Sequence, residues 1–303
     1  MIGLINILEQ GLLFALVAMG VYITYKILDF PDLSVDGTYP LGAAICGILL
    51  ANGVNPWFSL LVATFGGTIA GGVTAFLHVK LKITNLMSGI LVMIALYSVN
   101  LKVMGKSNIP LFNTNHIFKS KIMPIIIILA IVLLVKILFD LFLKTKTGYL
   151  LVAVGDNEQV VTALGVNKNL IKVIGLMISN GLVALAGGLT AQYQGFSEVS
   201  MGTGIVVMGL ASVIIGTSIF GKISFMKVTT LSILGAIIYK VAIAIVLELG
   251  LDPNNLKMMT AIIVVVALTF NSGAFKFKSR IRKKVKNEDG VEDVENTEFI
   301  QSI

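Results

Sequence analysis

Nine apolar stretches, most of them long enough to cross a hydrocarbon layer, occupy the greater part of this 303-residue chain. They run about 8–28, 38–52, 56–77, 83–103, 122–143, 172–193, 203–220, 226–247 and 256–271. A helix needs about 20 mostly apolar residues to span a bilayer. Lipid supplies no hydrogen-bond partner to the backbone, so only helices and closed barrels cross it. These runs are continuous, whereas barrel strands would alternate. The fold class read from them is all-α, a polytopic helical membrane protein with eight or nine transmembrane helices. The second stretch is short and Gly-rich, and reads as a broken or buried helix.

Composition agrees. Hydrophobic residues make up 56% of the chain and charged residues 13%, against about 25% charged in soluble domains. Soluble enzymes, secreted domains and nucleic-acid binders are therefore disfavoured. Of the 39 charged residues, 13 lie from Lys276 onward, as a basic cluster followed by an acidic run. The chain divides into a membrane domain, 1–275, and a charged tail, 276–303, expected to be disordered and cytoplasmic. The net charge of +7 reads as membrane-flanking lysine that sets orientation, and no nucleic-acid partner is expected. The start, MIGLINILEQ, lacks the basic region and cleavage site of a secretory signal.

A cytoplasmic tail places Lys80, Lys82, Lys144, Lys146, Lys168, Lys172, Lys222 and Lys227 inside, and Lys102, Lys106, Lys119, Lys121 and Lys257 outside. The bias is modest. The N-terminus falls outside if 38–52 crosses, and inside if it does not.

A polar island, 144–171, interrupts the apolar pattern. Asp156 is a helix cap with Gln159 three residues on, the spacing of a capping box. The helix would run about 157–164, with Gly165 at the left-handed C-terminal position. Val160, Val161 and Leu164 would form an apolar stripe. On the residues alone this helix either lies in the headgroups or docks a cytoplasmic partner.

Here a resemblance enters. Gly155-Asp156-Asn157, then Ala163-Leu164-Gly165-Val166-Asn167, then Ser179-Asn180-Gly181-Leu182 and Ala184-Leu185-Ala186-Gly187-Gly188-Leu189 resemble the coupling loop and following span of ABC-importer permeases. The branch is the one that includes branched-chain amino-acid and ribose permeases. Gln10-Gly11-Leu12-Leu13, Ile27-Leu28-Asp29-Phe30, Asp32 through Gly37, Leu41-Gly42-Ala43, Tyr239-Lys240 and Asn255-Leu256-Lys257 are similar to a sub-branch linked to tryptophan and tyrosine import. The resemblance covers about 8–275.

The resemblance implies a type II importer-like permease, not an enzyme, in the inner membrane of a prokaryote. It implies four partners besides the lipid bilayer: a separate ABC ATPase, which would bind the ATP, an extracytoplasmic substrate-binding protein, a second permease copy, and an amino acid as cargo. Gly155, Asp156, Asn157, Glu158, Ala163, Leu164 and Gly165 would form the ATPase-coupling element. Asp32, Asp36 and Thr38 would lie on the gate or translocation pathway. Lys240, deep in the eighth stretch, either snorkels or pairs, for instance with Glu248, or lines the pathway.

The remaining features read as structural. Lys136 and Asp140 have the spacing of an i,i+4 pair. Gly67-x-x-x-Gly71 and Gly181, Ala184, Gly187 and Gly188 permit close helix packing, within the subunit or between subunits. Gly216 through Ile223 imitates a phosphate-binding loop, but Ile223 stands where a hydroxyl must meet magnesium. Neither His78 nor His116 has the company of a metal site, and no metal or other cofactor is expected on this chain. A secondary transporter is the alternative, with ionisable residues near the midplane of repeated halves. No inverted repeat is visible in the sequence. A membrane-embedded enzyme lacks a catalytic constellation.

Overall fold

The computed structural model describes residues 2–119, 123–221, 227–248 and 256–271. The tail 276–303, Lys121, Lys222, Ile223 and Asn255 lie outside the described residues. All nine apolar stretches fold as helices. They are α1 (Ile2–Val21), which a π-helical turn at Tyr22–Ile27 prolongs, α2 (Val35–Ala51), α3 (Pro56–Val79), α4 (Asn85–Met104), α5 (Pro124–Leu143), α8 (Lys168–Gln194), α9 (Ile205–Phe220), α10 (Val228–Glu248) and α11 (Leu256–Asn271). The polar island supplies α6 (Lys146–Asp156) and α7 (Glu158–Ala163). Among the described residues, seven helical segments are long and apolar enough to cross a membrane, with α2 a shorter apolar helix.

Local chemistry sets the ends. Pro56 and Pro124 occupy first turns, where a missing N–H costs nothing. Asn55 caps α3, its side-chain oxygen accepting from Trp57 N at 2.9 Å. A short antiparallel pair, β1 (Asn108–Pro110) and β2 (Phe196–Glu198), ties the fourth connection to the end of α8. Nothing in the apolar periodicity announces this pair, because it is only three residues long.

Eight of the helices form two sets of four, with α5 to α7 between them. α3 packs along α8 as α10 packs along α1. α2 packs on α3 and α4, and α9 on α10 and α11. α1 through α4 thus correspond to α8 through α11. The sets are inverted. Ser179 Oγ donates to Gly20 O at 2.7 Å, while Gly175 lies against Leu28, so α1 and α8 run antiparallel. The repeat absent from the sequence reading is present in the architecture, because packing partners and direction carry it rather than residue identity.

Small residues make this packing possible. A Cβ on Gly67 would overlap Ala184 and Asn180, and one on Gly71 would overlap Leu176 O. Gly42 lies against Ala184, and Gly187 against Tyr39. The glycine spacings therefore serve contacts within the subunit, against α8. The opposite face of α3 exposes Trp57, Leu61, Phe65, Ile69, Val73 and Phe76, an apolar stripe suited to lipid or to another apolar helix. Asp140 accepts from Lys136 at 2.9 Å, as expected, and also from Lys227 at 2.9 Å and Thr229 at 2.7 Å. It joins α5 to the start of α10.

Candidate functional site

The polar arm, α6 and α7, sits at the end of the bundle where α1 stops and α8 begins. Thr145 Oγ1 caps α6 by accepting from Gly148 N at 3.2 Å. At the far end the expected cap moves by one residue. Asp156 is the last residue of α6, and Asn157 caps α7, its Oδ1 accepting from Gln159 N at 2.9 Å and Val160 N at 3.2 Å. The reason is the backbone. A cap residue is extended, and Asn157 is extended (φ −158°, ψ 101°) where Asp156 is still helical. Gly165 adopts the left-handed conformation (φ 74°) that ends α7, as its residue type suggests.

The apolar stripe expected on α7 divides. Val161 is fully buried, while Val160 is exposed and Leu164 is 70% exposed. A helix of six residues between two reversals turns only one of the three toward the bundle. Val161 anchors α7 and the other two face outward.

Two contacts hold the arm. Glu158 pairs with Lys168 at 2.8 Å and with Lys172. Burial alone would raise the Glu158 carboxyl, but hydrogen bonds and charge from the two lysines outweigh it and hold it below its ordinary value. At the other end of the arm, a Cβ on Gly155 would overlap the carbonyl oxygen of Ile27. The arm thus touches the last turn of α1.

The segment leaving that turn climbs into the bundle. Asp32 and Thr38 are buried. Asn180 of α8 donates to Asp32 Oδ2 at 2.8 Å and accepts from Thr38 Oγ1 at 2.7 Å and Ser34 Oγ at 3.2 Å. Asp32 Oδ1 accepts from Ser34 N at 2.9 Å. Every polar group of this node has a partner, which a buried network requires. Asn180 lies twelve residues into α8, about 18 Å along it at 1.5 Å per residue. α2 therefore starts deep in the bundle, which explains its short length.

Asp36 has a different role. Its Oδ2 accepts from Gly204 N at 2.9 Å and its Oδ1 from Val206 N at 2.8 Å. These groups open α9, which corresponds to α2 in the second set. The two short helices thus begin beside each other, and Asp36 of one caps the other. A cavity of about 440 Å³ adjoins this junction, lined by α2, α4 and residues 199–203.

Lys240 stands apart from these residues. Its ammonium lies 5.0 Å from the centroid of the Phe14 ring, within cation–π range. No ion pair with Glu248 is formed among the described residues. Lys240 and Gln10 line both an apolar cavity of about 570 Å³ and a more polar one of about 180 Å³.

The residues named from sequence are thus sorted. Asp32 and Thr38 face Asn180, Asp36 joins the two halves beside one cavity, and Lys240 lies between two others. The sequence reading gives Asn100 and Asn180 no functional role, although Asn180 belongs to a motif that carries the resemblance. The signal existed, since each is an amide inside an apolar stretch.

The sequence pattern of the family described as "Branched-chain amino acid transport system / permease component" matches residues 3–269. The chain belongs to this family. The resemblance read from its motifs to ABC-importer permeases of this branch is borne out. This permease is 53% identical over 268 residues to the tyrosine transport system permease protein of Clostridioides difficile (strain R20291), covering 88% of this chain and 91% of the relative. It is 34% identical over 275 residues to an uncharacterized protein of Rickettsia prowazekii (strain Madrid E), covering 88% and 96%. The ribose import permease protein of Escherichia coli (strain K12) is more distant, at 26% over 229 residues, covering 72% and 70%. No solved structure matches. The permease is a multi-pass membrane protein.

Proposed function

We propose that this permease is the membrane subunit of an amino-acid importer in the inner membrane of a prokaryote, powered by a separate ABC ATPase. The arm 146–165 is the seat of that ATPase. One observation carries this reading above the others. The arm turns Val160 and Leu164 outward, is held to the bundle by Glu158 of α7 and touches the first span through Gly155 of α6. A rigid element tied at both ends passes an applied force to the helices it touches.

A tyrosine-like cargo is favoured by the 53% identical relative. Two copies of the chain would enclose the route, and an extracytoplasmic binding protein would deliver the cargo. Asp36 and Lys240 would line the route, while Asp32 and Thr38 would brace it through Asn180. Inverted halves also occur in secondary transporters, so architecture alone does not decide the energy source. The family does favour a component powered by a partner.

Purification of the tagged chain from its native membrane, followed by mass spectrometry, tests this reading. A stoichiometric ATPase and ATP-dependent uptake of an aromatic amino acid are expected. A chain that purifies alone and transports without ATP would overturn it.

A further inference from the structure

The cavity beside Asp36 presents acceptors with no cation of its own to meet them. Its wall includes Asp36, Asn100, Met93, Ile94 and Tyr97, with no lysine, arginine or histidine among the described lining residues. Each Asp36 oxygen accepts one backbone N–H. A carboxylate has about four acceptor positions, so about two remain. Asn100 is completely buried and donates from Nδ2 to Gly37 O at 3.1 Å. Among the described residues its Oδ1 has no partner. A buried acceptor without a donor is rare in a folded protein and points to a group that arrives from elsewhere.

Position adds to chemistry. The cavity lies where the two short helices begin, at the interface of the inverted halves. Discontinuous helices at such an interface form the substrate sites of other transporters. The positive end of α9 is already occupied by Asp36, so what remains is a negative and hydrogen-bond-accepting wall. A divalent metal would want six or more oxygens and more than one carboxylate. An ammonium offers three N–H donors and one positive charge, which suits one carboxylate and one amide oxygen. Met93, Ile94 and the exposed Tyr97 ring offer an apolar and aromatic surface alongside.

We propose that this cavity is a binding site for a primary ammonium attached to an apolar or aromatic group, with Asp36 and Asn100 Oδ1 as acceptors and Tyr97 against the ring. It rests on the reading of the chain as an amino-acid permease and names the end of the cargo that this permease holds. The larger Lys240 cavity, of opposite charge, shares Thr203 with this one, but neither Lys240 cavity includes Asp36 or Asn100, and neither is part of this site.

The test uses the purified full chain in lipid nanodiscs and saturation-transfer NMR with three probes. Tyramine carries ring and ammonium, 3-(4-hydroxyphenyl)propionate carries ring and carboxylate, and p-cresol carries the ring alone. Tyramine is expected to bind saturably and at least about tenfold more tightly than the propionate. Asp36→Asn and Asn100→Leu are each expected to weaken tyramine about fivefold or more and to leave p-cresol unchanged. The comparison of probes on the unaltered chain does not depend on either variant folding. Equal binding of tyramine and the propionate, no binding of any probe, or tyramine binding indifferent to both substitutions would overturn the proposal. Uptake by the complete transporter separates the two readings. Tyrosine uptake without probe discrimination sinks the site alone, and uptake restricted to solutes lacking an amine sinks the functional reading.

Discussion

Gly155 sits so close to the carbonyl oxygen of Ile27 that no side chain fits between them. The contact joins the polar arm to the π-helical turn that ends α1. Six residues beyond Gly155, Val161 is buried, and five residues beyond Ile27 the chain reaches the Asp32–Asn180 bond. Force applied to α7 therefore has a short route to the start of α2.

Replacing Gly155 by alanine forces the arm and the first span apart. Overpacking of this kind costs about 1–3 kcal/mol. ATP-dependent uptake is expected to fall at least about tenfold, a loss of about 1.4 kcal/mol in coupling, with membrane insertion preserved. Uptake in proteoliposomes containing equal amounts of variant and parent chains measures this.

Glu158 holds α7 through Lys168 and Lys172. Its carboxyl lies below its ordinary value of 4.5. A depressed carboxyl contributes stability that is fully present above the unfolded value and is lost as pH falls through the folded one. Docking of α7 should thus be insensitive to pH between about 6 and 8 and loosen only below about 4.5. Glu158→Gln should loosen it at every pH. Leu164→Cys offers a probe site, since the native Cys46 is buried. Mobility of a spin label there reads both effects.

The Asn180 node should be intolerant of apolar substitution. Asn180→Leu removes the bonds that Asp32 Oδ2, Ser34 Oγ and Thr38 Oγ1 make to the amide, while Asp32 Oδ1 keeps Ser34 N and Thr38 Oγ1 keeps Ser34 O. Each buried group left unpaired costs about 1–3 kcal/mol, more if charged. A fall in thermal stability in detergent of several degrees, with poor yield, is expected. Asn180→Asp places two carboxyls together and should not rescue it.

Lys240 should behave in the opposite way. Among the described residues it gains the Phe14 ring, and an ammonium within a span is costly. Lys240→Met is expected to keep or raise the melting temperature while lowering uptake several-fold, as for a residue that serves the route rather than the fold. Loss of stability without change in uptake would reverse that assignment.

Most of the fold was legible because one variable, continuous hydrophobicity, fixes where helices lie in lipid. Gly165 was legible too, since a left-handed turn end has few suitable residues. The cap at Asn157 was not, because Asp156 and Asn157 are both good caps and only the backbone of α6 decides between them. The division of Val160, Val161 and Leu164 depends on what a six-residue helix faces. The partnership of Asp36 with Gly204 and Val206 spans about 170 positions and arises from two helices meeting end to end. No local pattern records such a contact.

On the proposed function, α7 receives the ATPase. The most direct measurement places a photoreactive cross-linker on Leu164→Cys in the native membrane and identifies the captured peptide by mass spectrometry. A peptide from a protein with its own phosphate-binding loop is expected, captured in a yield that changes between ATP-bound and nucleotide-free membranes. Capture of lipid alone, while an intact ATPase co-purifies with the chain, would contradict it.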